Sequence, residues 1–204
     1  MIHPPLTPPI EGGEQHKRMK KPITLILLGD IAAGKGTQAR ILAKKFGLKL
    51  IDSGVYSRKI WHTKRGARVK EGKLAPSDVI QKYLQSELSK ISKVRGVLVD
   101  GGKMPAEARL INQLFKRQGR KFFVIYLTIP KSEIYKRLKI RIQKEQRADD
   151  SPQAIRNRMD YYKKIYSKTV KFWKSKRVLR KVNGTGSVEV VNSRITKVIK
   201  NHFL

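Results

Sequence analysis

The chain has 204 residues, 39% hydrophobic and 30% charged, a balance typical of one globular domain and not of a disordered chain. It has no cysteine, which excludes disulfides and thiolate metal sites, and no apolar run long enough to span a bilayer, so we expect a soluble cytoplasmic protein without membrane contact. Lysine and arginine number 47 against 15 acidic residues, and the formal charge of +32 predicts non-specific attraction for polyanions such as nucleic acid.

The first 21 residues are rich in proline, glycine and charge. They show no apolar periodicity, which predicts a disordered extension over residues 1–21. From residue 22 onward, apolar residues recur with the periods of strands and helices. We therefore expect one domain over residues 22–204.

Strand-like and helix-like patterns alternate along this domain. Short apolar runs predict strands over residues 24–28, 48–51, 97–99, 122–127 and 178–182. Apolar residues at helical spacing predict helices over residues 35–46, 55–70, 77–93, 105–117, 131–144, 152–173 and 188–203. Ser77 and Asp78 are expected to cap the third helix. The alternation predicts a three-layer α/β fold, a parallel five-stranded sheet with helices on both faces.

A glycine-rich segment joins the first predicted strand to the first helix and reads Gly29-Asp30-Ile31-Ala32-Ala33-Gly34-Lys35-Gly36-Thr37. Its glycines allow backbone N–H groups to close around the β- and γ-phosphates of a nucleotide at the positive end of the helix dipole. Lys35 would bridge those phosphate oxygens, and the Thr37 hydroxyl would bind Mg²⁺. A tight turn without a ligand is the alternative, but a strand before the segment and a helix after it favour a phosphate loop.

Asp100 follows the third predicted strand, and the carboxyl end of that strand should lie beside the phosphate loop in a parallel sheet. An acid at this place holds Mg²⁺ in many phosphate-transferring enzymes, often through water. The alternative is an aspartate that caps a turn at the end of the strand.

Four arginines occupy the last third of the chain, namely Arg137, Arg141, Arg147 and Arg158. The first two share a helix face, the third falls in a polar loop, and the fourth lies on the next helix. Arginines that converge on a transferring phosphoryl group neutralise the charge on its oxygens. In so basic a chain, arginines on a solvated surface are an equal alternative, and spacing alone does not decide between the two.

From residue 23 to residue 204 the chain resembles the adenylate kinases. The segment that ends GKGTQA is similar to the phosphate loop of that family, and the four arginines match its lid and post-lid arginines. The resemblance implies a P-loop NTPase fold in which Arg137 packs on the ATP base and the other three arginines act with Lys35 on phosphates. Implied ATP contacts are Gly29, Ala32, Ala33, Gly34, Lys35, Gly36, Thr37, Gln38, Arg137, Asn183 and Gly184.

The acceptor side of the resemblance rests on three segments. Ser53-Gly54 with Arg58 is similar to a family element whose hydroxyl and arginine contact the acceptor nucleotide, and Gly72-Lys73-Leu74 resembles the element that lines its base. Implied acceptor contacts are Ser53, Gly54, Arg58, Leu74, Ala75, Gly101 and Glu107. The resemblance also implies a helical acceptor lobe over about 53–82 and a short lid over about 138–152, without a zinc-bearing insertion.

Several departures affect the acceptor site. After Asp100-Gly101 the family usually carries an arginine that grips the acceptor phosphate, and here the chain continues Gly102-Lys103-Met104. A family glutamine that reads the adenine edge also has no clear match, and Glu107 is the closest candidate. In addition, Val55 stands where the family usually has an acid after Ser-Gly, so that Asp52-Ser53-Gly54 looks partly like a cytidylate kinase. These departures predict that AMP binds more weakly than it does in a typical adenylate kinase.

The residues and the resemblance together predict a monomeric kinase that moves the γ-phosphate of Mg·ATP to a nucleoside monophosphate, with AMP as the first candidate. The alternative is a nucleic-acid or ribosome-associated ATP-binding P-loop protein with weak or no kinase activity. It is motivated by the charge of +32 and by the altered acceptor site.

Overall fold

The computed structural model describes residues 22–145 and 151–203. The extension predicted over residues 1–21 lies outside this range, as does a five-residue part of the predicted lid that contains Arg147. The strands are β1 (Thr24–Gly29), β2 (Lys49–Asp52), β3 (Val97–Asp100), β4 (Phe123–Thr128) and β5 (Leu179–Asn183). All neighbours pair in parallel in the order β2-β3-β1-β4-β5. The predicted parallel five-stranded sheet is therefore confirmed.

Within residues 22–145 and 151–203, eight α-helices connect and cover the strands. They are α1 (Lys35–Lys45), α2 (Ser53–Lys59), α3 (Ser77–Ser89), α4 (Pro105–Arg117), α5 (Lys131–Glu145), α6 (Pro152–Tyr161), α7 (Ser167–Ser175) and α8 (Val188–Phe203). A 3-10 turn, Ala67–Val69, lies between α2 and α3, and a π turn, Tyr162–Tyr166, joins α6 to α7. Across the described ranges, no helix is long and apolar enough to cross a membrane.

Both faces of the sheet are buried. In β1, Leu25 and Leu27 point into one apolar cluster with α1, α5 and α8, whereas Ile26 and Leu28 point into the other with α3, α4 and α7. A strand covered on both faces needs apolar residues at every position, because neither set of alternate side chains reaches water. This is why the three central strands, β3, β1 and β4, are almost continuous apolar runs, whereas the edge strands β2 and β5 also contain polar residues.

The single helix predicted over residues 55–70 is wrong. The structure has α2, then turns, and then the 3-10 turn. Thr63 explains the break, since its hydroxyl donates to the carbonyl of Ile60 at 2.7 Å and accepts the N–H of Gly66 at 3.0 Å. A threonine side chain that bonds its own backbone in this way offers an alternative to helical hydrogen bonds.

Two other predictions about helices need correction. Ser77 and Asp78 do not cap α3, because Pro76 is the N-cap and no side chain bonds the helix start there. Asp78 instead pairs with Arg65 at 2.7 Å. The helix predicted over residues 152–173 has the right extent but contains the π turn, whose last residue, Tyr166, turns its ring into the core.

A buried arginine joins two of the connections that lead into strands. The guanidinium of Arg120, which is only 8% exposed, donates to the carbonyl oxygens of Ser92 and Arg95 at 2.8 Å each. It also donates to Oε1 of Gln118 at 2.6 Å. The α3–β3 and α4–β4 connections are thereby held together at the amino-terminal edge of the sheet.

We expect Arg120→Ala to lower the free energy of unfolding by about 2–4 kcal/mol, because the change leaves several buried carbonyl oxygens without a donor. Arg117→Ala, an exposed neighbour at the end of α4, should change it by less than about 0.5 kcal/mol. Urea denaturation of both variants measures the difference. Equal effects would show that the buried hydrogen bonds contribute nothing net.

Candidate active site

The phosphate loop leaves the carboxyl end of β1, the middle strand of the sheet. The chain passes from β1 over β3 to β2 on one side, whereas after β3 it passes over β1 to β4 on the other. Connections that diverge in this way leave a crevice at the carboxyl ends of the strands, where α/β proteins bind ligands. The topology therefore places the loop at the mouth of a crevice.

Close contacts with β4 hold the start of the loop. A Cβ atom on Gly29 would lie 2.8 Å from the Cβ of Leu127, so only glycine fits between the two strands. The carboxylate of Asp30 accepts the Tyr126 hydroxyl at 2.6 Å and the N–H of Ile129 at 2.9 Å. The start of the loop is thus hydrogen-bonded to a side chain of β4 and to the backbone of the residue that follows β4.

Two residues of the loop adopt left-handed backbone conformations. Gly34, the N-cap of α1, has φ 81°, which glycine adopts without steric cost. Ala32 has φ 57°, a conformation that costs a residue with a Cβ about 1–2 kcal/mol. This backbone path turns the chain into the N-terminus of α1, where unbonded N–H groups favour an anion.

Lys35 lies against the loop itself. Its Nζ donates to the carbonyl oxygens of Gly29 at 2.7 Å and Asp30 at 2.9 Å. Burial lowers the pKa of Lys35 to about 8, against the opposing effect of the Asp100 carboxylate. Lys103 lowers the pKa of Lys35 further. The ammonium group is therefore positioned at the loop in surroundings that do not fully compensate its charge.

Asp100 ends β3 directly opposite Asp52 at the end of β2. Burial, and next the charge of Asp52, raise the pKa of Asp100 to about 6, although Lys35 and other cations oppose the shift. Its carboxylate and Thr37 line the same cavity. Such hard oxygen ligands suit Mg²⁺, and because the described ranges contain no cluster of three metal-binding side chains, an ion here would take most ligands from water and a nucleotide.

One cavity of 420 Å³ brings the predicted donor and acceptor residues together. One wall is the phosphate loop, from Ile31 to Thr37. The other predicted residues that line it are Gly54, Arg58, Leu74, Ala75, Asp100, Arg137, Arg141 and Arg158. Three of the four predicted arginines thus face the loop across one space, and the fourth, Arg147, lies outside the described residues.

A second cavity of 380 Å³ continues from the first. The two share the segment Ala32–Gly34, Thr37 and Arg137. Beyond them the second cavity is lined by Gly186, Ser187 and Val188, where β5 leads into α8. Arg137 stands at the junction, with its Nε held by the Glu133 carboxylate at 2.6 Å.

Several predicted site residues form hydrogen bonds with other parts of the fold. The Gln38 amide borders the second cavity but bonds α8, donating to the Val188 carbonyl at 2.9 Å and accepting from Asn192 at 3.1 Å. The Ser53 hydroxyl donates to the carbonyl oxygen of Asp100 at 3.2 Å. Among the described linings, neither cavity includes Gly29, Ser53, Gly101, Glu107, Asn183 or Gly184.

Local contacts explain why Gly101, Glu107, Asn183 and Gly184 do not line either cavity. The Glu107 carboxylate is buried and accepts the N–H of Met104 at 3.2 Å, so it serves the start of α4. The Asn183 amide oxygen accepts the N–H of Thr185 at 2.9 Å and shapes the turn after β5. The Gly101 backbone packs against the Ser53 side chain, and Gly184 donates its N–H to the Thr128 carbonyl.

Other residues line the main cavity without having been predicted as binding residues. Lys103 is the most informative, because its carbonyl oxygen accepts the hydroxyls of Tyr161 at 2.7 Å and Thr169 at 2.8 Å. Its Nζ lies 3.8 Å from the position of a Cβ on Gly54. The sequence showed this lysine only as part of a departure from a family pattern. Arg40 and Tyr161 also line the cavity, and no pattern in the sequence indicated them.

Comparisons with known proteins agree with this geometry. Residues 27–178 match the family model described as adenylate kinase. The chain is 32% identical over 183 residues to an adenylate kinase of Leptospira biflexa, covering 86% of this chain and 98% of that protein. It is 30% identical over 181 residues to an adenylate kinase of Thermus thermophilus, covering 84% and 94%. An adenylate kinase of Nocardioides sp. is 30% identical over 183 residues, covering 86% and 96%.

We expect Asp100→Asn to stabilise the protein at pH 7 by about 1–3 kcal/mol, since the change removes a buried charge that its surroundings disfavour. The ordinary pKa of this carboxyl is 3.8 and its pKa in the folded protein is about 6. Its contribution to the free energy of unfolding therefore falls as pH rises between those two values. The advantage of the variant should therefore shrink toward pH 4. Urea denaturation at pH 4, 5.5 and 7 tests this, and a pH-independent difference would contradict it.

Proposed function

The chain belongs to the adenylate kinase family and is a nucleoside monophosphate kinase, and we propose that it transfers the γ-phosphate of Mg·ATP to a nucleoside monophosphate, with AMP the first candidate. One observation carries the proposal. A single cavity contains the phosphate loop with Lys35 on one wall and Arg58, Leu74 and Arg158 on the others. The phosphates of two nucleotides could face each other across such a space.

The donor is proposed to lie along the phosphate loop with its base in the second cavity. Arg137 stands between the cavities, and a guanidinium there can stack on a base while its neighbours contact phosphates. Val188, 41% exposed at the start of α8, offers apolar surface on the opposite side. An adenine between these residues would replace water on both of its faces.

The acceptor is proposed to bind in the main cavity near Arg58 and Leu74, within the lobe at about 53–82. Lys103 lies beside Gly54 at the same end. A lysine offers a point charge to a phosphate, whereas an arginine offers two parallel hydrogen bonds. At the position of Lys103, the acceptor site therefore keeps a positive charge but lacks the two parallel hydrogen bonds that an arginine would offer.

Mg²⁺ is proposed to enter with ATP and to be held by the Thr37 hydroxyl and, through water, by Asp100. When bound, the ion neutralises phosphate charge. The raised pKa of Asp100 fits this assignment, because a carboxylate that is costly to ionise in the empty site gains most from a nearby cation.

Phosphoryl transfer of this kind needs no nucleophilic side chain, because an acceptor phosphate oxygen attacks in line. The protein supplies position and charge. Lys35, Arg141 and Arg158 face one cavity, and Arg147 of the proposed lid, at about 138–152, would join them on closure. Closure over the bound phosphates would exclude water and limit hydrolysis of ATP.

The alternative of a nucleic-acid or ribosome-associated protein with little kinase activity is not favoured. The relatives matched over most of the chain are adenylate kinases. The cavity is lined by the loop lysine and by three of the four arginines predicted to contact phosphates or the ATP base. A coupled assay of the purified protein with a panel of nucleoside monophosphates tests the proposal and identifies the acceptor. No transfer to any of them would refute it.

Lys35→Ala should lower the rate of phosphoryl transfer at least about a hundredfold, roughly 2.7 kcal/mol in barrier height, because backbone N–H groups cannot replace the lost charge. The fold should remain intact, since burial of Lys35 already disfavours its charged form, as its lowered pKa shows. Lys44→Ala, an exposed lysine of the same helix, is the matched control. A rate within about tenfold of wild type would refute the role of Lys35.

Lys103→Ala should raise the KM for the acceptor about tenfold or more while leaving the KM for ATP nearly unchanged, because the lost charge lies on the acceptor side. Arg109→Ala is the control, since that side chain is exposed on α4 and outside the described cavity linings. Titration of each substrate at saturating concentrations of the other gives both constants. A low-micromolar acceptor KM that Lys103→Ala leaves unchanged would refute both the role of Lys103 and the predicted weak binding of AMP.

A further inference from the structure

Three connections meet at the amino-terminal edge of the sheet, opposite the cavity. They lead from α3 to β3, from α4 to β4 and from α7 to β5. Arg120 bonds the first to the second, and the Phe122 ring packs on Trp173 of α7 at 5.9 Å. The N–H of Val124 donates to the carbonyl of Val178 at 2.9 Å, which joins the second to the third. These connections form one continuous surface.

This surface is strongly basic. Its exposed cations, here called the basic pole, are Lys93, Arg95, Lys121, Lys176 and Arg177. The three connections contain no acidic residue. The ion pairs among described residues use Arg65, Lys73, Lys90 and Arg137, and so none of them neutralises a member of the pole.

The helix dipole accounts for only part of the pole, namely Lys176 at the C-cap of α7 and Arg177 next to it. Basic residues are favourable in the last turn of a helix, and Lys116 and Arg117 of α4 are explained in that way. The effect falls off beyond that turn. Lys93, Arg95 and Lys121 lie four or more residues after their helices end, where a polar uncharged side chain would serve the fold equally well.

Arg177 provides an independent observation. It has φ 58° just after α7, in the left-handed conformation that glycine usually provides at the end of a helix. An arginine there carries a steric cost that glycine would avoid. Strained residues cluster at functional sites, and so the conformation of Arg177 supports a functional hypothesis for this surface.

We infer that the basic pole is a docking surface for the phosphate backbone of nucleic acid. Substrate phosphates bind elsewhere, because the strands of four to six residues separate this edge from the cavity by about 13–20 Å. A membrane surface fits less well, since Val94 is the one large apolar side chain exposed in these described connections. Apart from Lys176, whose Nζ lies 5.7 Å from the centre of the Phe172 ring, these cations have no ring partner among the described residues, and such exposed charge suits a hydrated polyanion.

The first test uses fluorescence anisotropy of a labelled 20-nucleotide oligo(dT) over a range of salt, with the cavity saturated by Mg·ATP. The triple variant Lys93→Gln, Lys121→Gln, Lys176→Gln should lower the slope of log K against log salt by about 2, at about 0.7 for each lost contact, and weaken binding roughly a hundredfold at 0.1 M salt. Its kinase activity should be unchanged. The control with equal charge is Lys59→Gln, Lys64→Gln, Lys70→Gln, three exposed lysines near the acceptor side.

The variant Arg177→Gly distinguishes a loss of oligonucleotide binding from a loss of folding. It should raise the melting temperature by about 2–4 °C, because it relieves the backbone strain, and should still weaken oligonucleotide binding. A change that stabilises the fold while weakening the complex cannot be explained by misfolding.

Three outcomes would overturn the inference. They are loss of oligonucleotide binding when Mg·ATP fills the cavity, equal slopes for the two triple variants, and tighter binding of the wild type to vesicles with 30% phosphatidylserine than to the oligonucleotide.

Discussion

The phosphate loop depends on the attachment of its first two residues to β4. Gly29 lets β1 approach β4 so closely that no side chain fits between them, and the Asp30 carboxylate joins the Tyr126 hydroxyl to the Ile129 amide. The Gly29 N–H also donates to the Tyr166 hydroxyl at 2.8 Å, which brings the π turn into contact with the same point. Strand end, loop and the helices that carry the arginines are therefore positioned against one another by a few short contacts.

The charges at the centre of the site are not balanced within the protein. Burial lowers the pKa of Lys35 and raises the pKa of Asp100, so each charged form costs free energy in the folded chain. Phosphate oxygens at the lysine and a cation at the aspartate would remove both costs together. Ligand binding would therefore stabilise the fold, and such a trade between stability and activity is common.

Cations lie at both edges of the sheet, but their surroundings differ. At the carboxyl edge, Lys35, Lys103 and the arginines line the main cavity, where we propose that substrate phosphates bind. At the amino edge, the basic pole is open to solvent. Lys103 also shows how the cavity is tied to the rest of the fold, because hydroxyls from α6 and α7 fix its backbone while its ammonium group remains at the acceptor end.

The sequence by itself determined the parallel α/β fold and indicated the phosphate loop, because apolar period and glycine spacing are local properties of the chain. Its charge and spacing left the four arginines undecided, and the structure brings three of them to one cavity. The sequence also did not determine the partners of polar side chains: Gln38 bonds Val188, 150 residues away, and the hydroxyl of Ser53 donates to Asp100. The break at Thr63 and the π turn before Tyr166 were also missed, since each depends on hydrogen bonds that compete with the helix. Only the tertiary structure decides such cases, because a polar side chain bonds whichever partner the packing of distant segments brings within reach.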